Sequence, residues 1–176
     1  MNYWKNSLRN KLLLVVGLIA LIAAPAVIKA HTAKFTVHET NEYFTRLAAE
    51  GNGIDYDGAY GMQCVDVAYM WSGHFVDVSL LLHGNAIDLP ASAQSLGYEI
   101  VPADKSPRVG DLFVKTEPGH DFGHTGYIWQ VDPDSTIWTV EQNIGDYSNL
   151  YYGTPAQIVH RDLSNMVCYI RVAYQK

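Results

Sequence analysis

Four side chains spread along the chain are of the types that perform nucleophilic catalysis together. Cys64 offers a thiol, His124 lies in a glycine-flanked segment, and Glu141 and Asn143 follow shortly after it. A thiol attacks an amide carbonyl efficiently only as the thiolate, so it needs a base that takes its proton and later protonates the leaving amine. Histidine suits both tasks near neutral pH, and a carboxylate or amide can hold its ring in one orientation. These residues predict a cysteine hydrolase that acts on amide bonds.

An acidic loop just before the cysteine has the pattern of a cation site. Asp55 and Asp57 provide carboxylates at alternate positions, and the carbonyl groups of Ala59 and Gly61 continue the alternation. Oxygen ligands spaced in this way can curl around a hard cation, and Asp66 can return from the following helix to complete the shell. The alternative is a solvated turn in which the aspartates cap backbone groups. The position of Asp66 favours the metal site.

Helical spacing of apolar residues predicts the element that presents the cysteine. One helix is expected over 40–50, and Val67, Trp71 and Phe75 predict a second helix that begins at Cys64. A thiol at a helix amino terminus lies close to unpaired backbone N–H groups and the positive end of the helix dipole. Both favour the thiolate over the thiol.

The second half of the chain changes to the twofold period of β-strands. After an extended segment at 31–39 and a short helix near 91–96, strands are expected at 111–115, 126–131, 136–142 and 165–174. Helices first and antiparallel strands afterwards predict an α+β domain. His124 would begin one strand, and Glu141 and Asn143 would end the next, so antiparallel pairing could bring them side by side.

His120 precedes His124 by four residues, a spacing that on a helix could place two metal ligands on one face. Pro118, Gly119 and Gly123 argue against a helix there. We therefore expect His120 to lie in a loop and favour no zinc site.

The first thirty residues have the layout of an export signal. Lys5, Arg9 and Lys11 precede an apolar run, and small residues follow it around Pro25 and Ala30. The uncharged stretch Leu12–Ile28 is close to the length that spans a bilayer, so an uncleaved membrane anchor is the alternative. We expect residues 1–30 to be an export signal or anchor and residues 31–176 to form one catalytic domain.

The charge balance restricts the partners. Removing residues 1–30 deletes four basic residues and no acidic one, which leaves eight bases, eighteen acids and a net charge of −10. Such a surface argues against nucleic acid and anionic lipid as partners.

The two cysteines of an exported chain first suggest a disulfide. Cys168, however, lies in an alternating apolar run that predicts a late strand. We expect two free thiols, with Cys168 buried as a small apolar residue.

Four short motifs together carry a resemblance to a known family. They are Gly61-Met62-Gln63-Cys64-Val65-Asp66, Gly110-Asp111-Leu112, Gly123-His124-Thr125-Gly126 and Glu141-Gln142-Asn143. With these motifs the chain resembles the CHAP domain family of cysteine/histidine-dependent amidohydrolases and peptidases, and especially the CHAP domains of phage endolysins. The likeness extends over about 40–174.

The resemblance implies a papain-like fold and a role for each matching residue. Cys64 would be the nucleophile, His124 the general base and acid, Glu141 the residue that orients His124, and Asn143 a polar helper. Gln63 would add a donor to the oxyanion hole beside the Cys64 backbone N–H.

The same resemblance implies that the cation of the acidic loop is Ca²⁺, bound at Asp55, Asp57, Ala59, Gly61 and Asp66. The ion would be structural, holding the loop that presents the nucleophile.

The resemblance implies a hydrolase of bacterial peptidoglycan, and with the export signal we expect an exported, monomeric enzyme that acts outside the cell or in its envelope. It would cut an amide bond as an amidase or an endopeptidase. Tyr147, Tyr151 and Tyr152 are candidates for substrate contact. The alternatives are a processing peptidase or small-amide hydrolase on the same scaffold, and a calcium-stabilised wall-binding module without activity.

Overall fold

The computed structural model describes residues 31–145 and 153–176. The predictions for residues 1–30 and for Tyr147, Tyr151 and Tyr152 lie outside these residues. The described chain forms an antiparallel six-stranded sheet with helices on one side. The predicted α+β fold, with amino-terminal helices packed on an antiparallel sheet, is confirmed.

Three α-helices precede most of the sheet. They are α1 (Val37–Ala49), α2 (Cys64–Met70) and α3 (Leu89–Leu96). Wider hydrogen-bonded turns continue α2 through Trp71–Val76, and single 3₁₀ turns occupy Val78–Leu80 and Ala86–Asp88.

Helix α1 begins three residues earlier than its apolar spacing predicted. Thr36 caps it, because its hydroxyl oxygen accepts the backbone N–H of Glu39 at 3.2 Å. The Glu39 carboxylate in turn accepts the Thr36 backbone N–H at 2.8 Å. This reciprocal pair satisfies two donors that a helix start otherwise leaves unpaired.

The strands of the described chain are β1 (Thr32–Thr36), β2 (Glu99–Pro102), β3 (Leu112–Glu117), β4 (His120–Val131), β5 (Ile137–Glu141), β6 (Gln157–Arg161), β7 (Met166–Arg171) and β8 (Ala173–Gln175). The sheet has the strand order β2-β7-β3-β4-β5-β6, with every neighbouring pair antiparallel. A separate parallel pair, β1 with β8, joins the start of the described chain to its end.

Strands β2 and β6 were not predicted. They are the two edges of the sheet, and β6 is largely exposed or only half-buried along its length. An edge strand with little burial lacks the apolar alternation by which strands are recognised.

The expectation that His120 lies in a loop is wrong. His120 is the first residue of β4 and pairs with Glu117 of β3. Pro118 and Gly119 form a two-residue turn between these strands, and Gly119 takes the positive φ of 98° that is typical of the second central residue of a type II turn. His124 is therefore the fifth residue of β4, where the sequence predicted a strand start.

The sheet separates two apolar clusters. Alternate residues of β3 divide between them, since Leu112 and Val114 join the larger cluster and Phe113 joins the smaller one. The larger cluster includes Phe44 from α1 and Val67 from α2, so it holds the helices against the sheet.

Cys168 is buried on β7, and both cysteines are free thiols. Within residues 31–145 and 153–176, no helix has the length and apolar character to cross a bilayer.

Candidate active site

The nucleophile candidate begins a helix. Cys64 is the first residue of α2, and Gln63 before it has extended backbone angles. The Asp66 carboxylate caps this start, because its two oxygens accept the backbone N–H groups of Gln63 at 2.7 Å and Tyr56 at 2.9 Å. The Cys64 side chain is partly exposed, so a substrate can reach the thiol.

The imidazole of His124 is held by Glu141 of the neighbouring strand. The distance from His124 Nε2 to Glu141 Oε2 is 2.7 Å. The two strands β4 and β5 pair antiparallel, as expected. Gly126 makes room for this contact, because a Cβ atom there would lie 2.7 Å from Glu141 Cγ.

Cys64 lies near the same imidazole. Cys64 and His124 line one cavity, and Cys64 is one of the groups that raise the pKa of His124. Since Nε2 is engaged by Glu141, Nδ1 is the ring nitrogen left for the thiol. The site thus combines a thiol and a carboxylate-bound imidazole on one cavity lining.

Electrostatics favour the protonated imidazole. Burial by itself would lower the pKa of His124, but the hydrogen bonds and negative charges of Cys64 and Glu141 outweigh burial and raise the pKa to about 9. Glu141 is fully buried, which would raise its pKa, yet His124 and Arg161 hold that pKa at about 2. The carboxylate therefore stays ionised beside His124 at neutral pH.

Arg161 of β6 is a site residue that the sequence did not indicate. Its guanidinium donates to both oxygens of Glu141, from Nε at 2.5 Å and from the terminal nitrogen at 2.6 Å. The Thr139 hydroxyl also donates to this carboxylate. No pattern in the sequence indicates Arg161, because its strand is polar at both ends and little buried.

Among the described residues, the Asn143 side chain is hydrogen-bonded to Gln63 and not to His124. Its side-chain nitrogen donates to Gln63 Oε1 at 2.7 Å, and its backbone has a positive φ of 54°. The Gln63 side-chain nitrogen donates to the Tyr60 carbonyl at 2.6 Å. Asn143 thus orients the amide of Gln63, and Glu141 is the residue placed against His124.

The three predicted carboxylate ligands come together. Oxygen atoms of Asp55, Asp57 and Asp66 lie within 4.8 Å of one another. Asp66 is buried, and this burial, reinforced by the charges of Asp57 and Asp55, raises its pKa to about 6 against the lowering effect of two backbone hydrogen bonds. A cation would offset the repulsion among these carboxylates.

Two backbone groups of the acidic loop already have partners. The Ala59 N–H donates to Asp57 Oδ1 at 2.8 Å, and the Gly61 carbonyl accepts the Gln63 N–H at 2.9 Å. A carbonyl oxygen has a second lone pair, so the Gly61 oxygen can still serve as a ligand. This all-oxygen donor set fits Ca²⁺.

A cavity of about 590 Å³ opens over the thiol and imidazole. Two aromatic side chains on its lining are largely exposed, Tyr60 at 68% and Phe122 at 54%. A cavity of this size can hold a segment of a peptide or a sugar.

Comparisons with known proteins give the chain its family. The CHAP domain family model matches residues 53–143, which include the acidic loop with Cys64 and the strands that carry His124 and Glu141. Endolysin PlyTW of Staphylococcus phage Twort is 32% identical over 127 residues, covering 68% of this chain and 27% of that protein. Endolysin LysK of Staphylococcus phage K is 30% identical over 103 residues, covering 57% of this chain and 21% of that protein.

The fold comparison agrees with the sequence comparison. The crystal structure of wild-type endolysin LysIME-EF1 superposes with a TM-score of 0.67 at 27% identity, covering 80% of this chain and 66% of that chain. The chain spans about a quarter of the length of the curated relatives it matches. From the family match, the shared fold and the motifs around Cys64 and His124, this chain belongs to the CHAP domain family.

Proposed function

We propose that this protein is a peptidoglycan hydrolase that cleaves an amide bond with Cys64 as its nucleophile. The observation that carries the proposal is that Cys64 and His124 line one open cavity, with the buried Glu141 bonded to the imidazole. The similarity to two phage endolysins supports a cell-wall substrate.

The proposed reaction has two halves. His124 holds the proton that it has taken from Cys64, and the thiolate sulfur attacks the amide carbonyl to form a tetrahedral intermediate. His124 then protonates the leaving amine, which departs and leaves a thioester on Cys64. In the second half His124 deprotonates a water molecule, and the hydroxide attacks the thioester. The C–S bond breaks, the carboxylic acid product leaves, and Cys64 and His124 return to their starting state with the proton on the imidazole.

Glu141 and Gln63 support these steps. The ionised Glu141 holds the imidazole and stabilises its charge after it accepts the proton. We assign the Cys64 backbone N–H and the Gln63 side-chain amide to the oxyanion hole. Asn143 supports this assignment because it holds the Gln63 side chain.

We propose a structural calcium ion beside the site, held by Asp55, Asp57 and Asp66 with the carbonyl groups of Ala59 and Gly61. When bound, Ca²⁺ neutralises the carboxylates and stiffens the loop that leads into α2. The clustering of the three carboxylates supports this proposal.

Residues 1–30 are proposed to direct the chain out of the cytoplasm as a cleaved signal or an anchor, and the exported protein is proposed to act as a monomer.

Amidase and endopeptidase cleavage use the same thiol chemistry. Mass spectrometry of the muropeptides released from purified walls distinguishes them, because each leaves a different new amino terminus.

The test of the nucleophile is Cys64→Ala, with Cys168→Ala as the matched control. Loss of the thiol should reduce the release of soluble muropeptides by about 10³-fold or more. The control removes a buried thiol on β7 and should keep most of the activity. Wall digestion by Cys64→Ala at the wild-type rate would falsify the assignment, and wild-type protein that releases no fragments would refute the wall substrate.

A further inference from the structure

Gln142 stands between two residues of the proposed site, and its side chain faces the loop that leads to the nucleophile. It is fully buried. Its Oε1 accepts the backbone N–H of Ile54 at 2.6 Å, and its Nε2 donates to the Ile54 carbonyl at 2.9 Å. The same Nε2 donates to the Gln63 carbonyl at 3.0 Å.

These bonds join the two ends of the acidic loop. Ile54 directly precedes Asp55, and Gln63 directly follows the last loop residues before α2. The loop between them contains no helix and forms only an isolated bridge from Met62 to Gly153. The Gln142 amide therefore supplies hydrogen bonds that regular secondary structure would provide elsewhere.

The bond to Gln63 acts directly on the nucleophile. The Gln63 carbonyl and the Cys64 N–H belong to one planar peptide unit. Fixing the direction of that carbonyl also fixes the direction of the Cys64 N–H, the proposed oxyanion donor, and the start of α2. The residue before Gln142 is Glu141, which holds His124. One short segment thus holds both the base and the peptide that carries the thiol.

Gly53 leaves room for the Gln142 amide to approach the acidic loop. Gly53 has no side chain, and a Cβ atom there would lie 3.3 Å from Gln142 Oε1 and 2.2 Å from Met62 Sδ. A larger residue at position 53 would displace the Met62 side chain and crowd the Gln142 amide.

We propose that Gln142 is a positioning residue that holds the acidic loop and the Gln63–Cys64 peptide in the arrangement that places the thiol against His124. The inference rests on the proposed function, but its test reads the thiol itself and needs no wall substrate.

Two substitutions separate the contacts. Gln142→Met is similar in length and uncharged, and it removes all three hydrogen bonds. Gln142→Glu keeps an acceptor for the Ile54 N–H but loses the donors to the carbonyls of Ile54 and Gln63. Thr40→Val is the matched control, since it removes one buried hydroxyl bond, to the Thr36 carbonyl at 2.9 Å on α1.

The first readout is the rate at which iodoacetamide alkylates Cys64, followed by peptide mass spectrometry across pH 5 to 10. We expect both Gln142 variants to lose about tenfold or more in rate at neutral pH, because small displacements of a reacting group are costly. Their profiles of alkylation rate against pH should differ from that of the wild type. Thr40→Val should keep the wild-type rate and profile.

The second readout is hydrogen exchange of peptides that cover 52–63. Gln142→Met should lose protection there, while Gln142→Glu should retain part of it through the Ile54 contact. Peptides from β3 and β4 should exchange as in the wild type in both variants.

Wild-type alkylation rates and pH profiles in both folded Gln142 variants would overturn the proposal. An equal loss of rate in Thr40→Val would also overturn it, because the effect would then reflect general stability. If Gln142→Met does not fold, the Cys64 alkylation rate of Gln142→Glu, compared with that of the wild type, tests the proposal by itself. A wild-type protein that digests no wall would refute the proposed function but leave these rate comparisons decisive.

Discussion

Replacing Glu141 by glutamine should lower the pKa of His124 while keeping an oxygen in position to accept its hydrogen bond. In the wild-type protein, burial opposes protonation of His124, but its contacts with Cys64 and Glu141 raise its pKa from 6.5 to about 9. The substitution removes one of these two negative partners. What changes is chiefly the charge 2.7 Å from Nε2.

The size of the effect follows from the charge separation. Two unit charges about 4 Å apart in surroundings of effective dielectric about 20 attract by about 4 kcal/mol. At about 1.4 kcal/mol per pKa unit, this is about three units. The Cys64 partner and the glutamine hydrogen bond remain, so we expect the pKa of His124 to fall by about two units in Glu141→Gln.

The assay is a histidine NMR titration of the folded protein. The His124 signal is assigned as the resonance that disappears in His124→Ala. Asp111→Asn is the matched control, because Asp111 is also a buried carboxylate bound by an arginine, with Arg171 nitrogens at 2.9 and 2.7 Å. The control should destabilise the fold and leave the His124 midpoint unchanged. A Glu141→Gln midpoint at or above the wild-type value would refute the reasoning.

The same shift gives a signed prediction for stability against pH. Because the folded pKa of His124 lies above its ordinary value of 6.5, its stabilising contribution is complete below pH 6.5 and is lost as the pH rises through about 9. The folded pKa of Glu141 is lowered from 4.5, so its contribution is complete above pH 4.5 and is lost as the pH falls through about 2. Urea unfolding at pH 6 and pH 10 should show a smaller loss with alkali in Glu141→Gln than in the wild type.

Two further substitutions test the surroundings of the site. Arg161→Met should lower the free energy of unfolding by about 3 kcal/mol, because it leaves the buried Glu141 carboxylate with one charged partner; a urea midpoint equal to that of the wild type would contradict this. Asp57→Asn should weaken Ca²⁺ binding by about tenfold or more in calorimetric titrations, whereas Asp88→Asn, a cavity residue outside the carboxylate cluster, should not. Equal affinity in both variants, or no calcium uptake by the wild type, would remove the proposed metal site.

Local patterns in the sequence are sufficient to predict the helix and strands that carry the nucleophile and the base. The helix that begins at Cys64 was predicted from apolar spacing, because α2 packs one face against the core. Strands β3, β4 and β5 were predicted from their apolar and β-branched residues, although β4 begins earlier than expected. The order of Cys64, His124 and Glu141 along the chain was enough to predict which residue types meet.

The tertiary structure decided which partners those side chains have. Arg161 reaches Glu141 from an edge strand whose polar sequence carries no strand signal. The Asn143 side chain is hydrogen-bonded to Gln63, which lies 80 residues earlier in the chain. The Gln142 side chain is hydrogen-bonded to Ile54, which lies 88 residues earlier. Such contacts depend on how the sheet and the acidic loop pack together. The sequence by itself therefore determined the chemistry available to this protein. Packing determined which groups hold the thiol and the imidazole in place, because a hydrogen bond between two distant segments produces no periodic residue pattern in either segment.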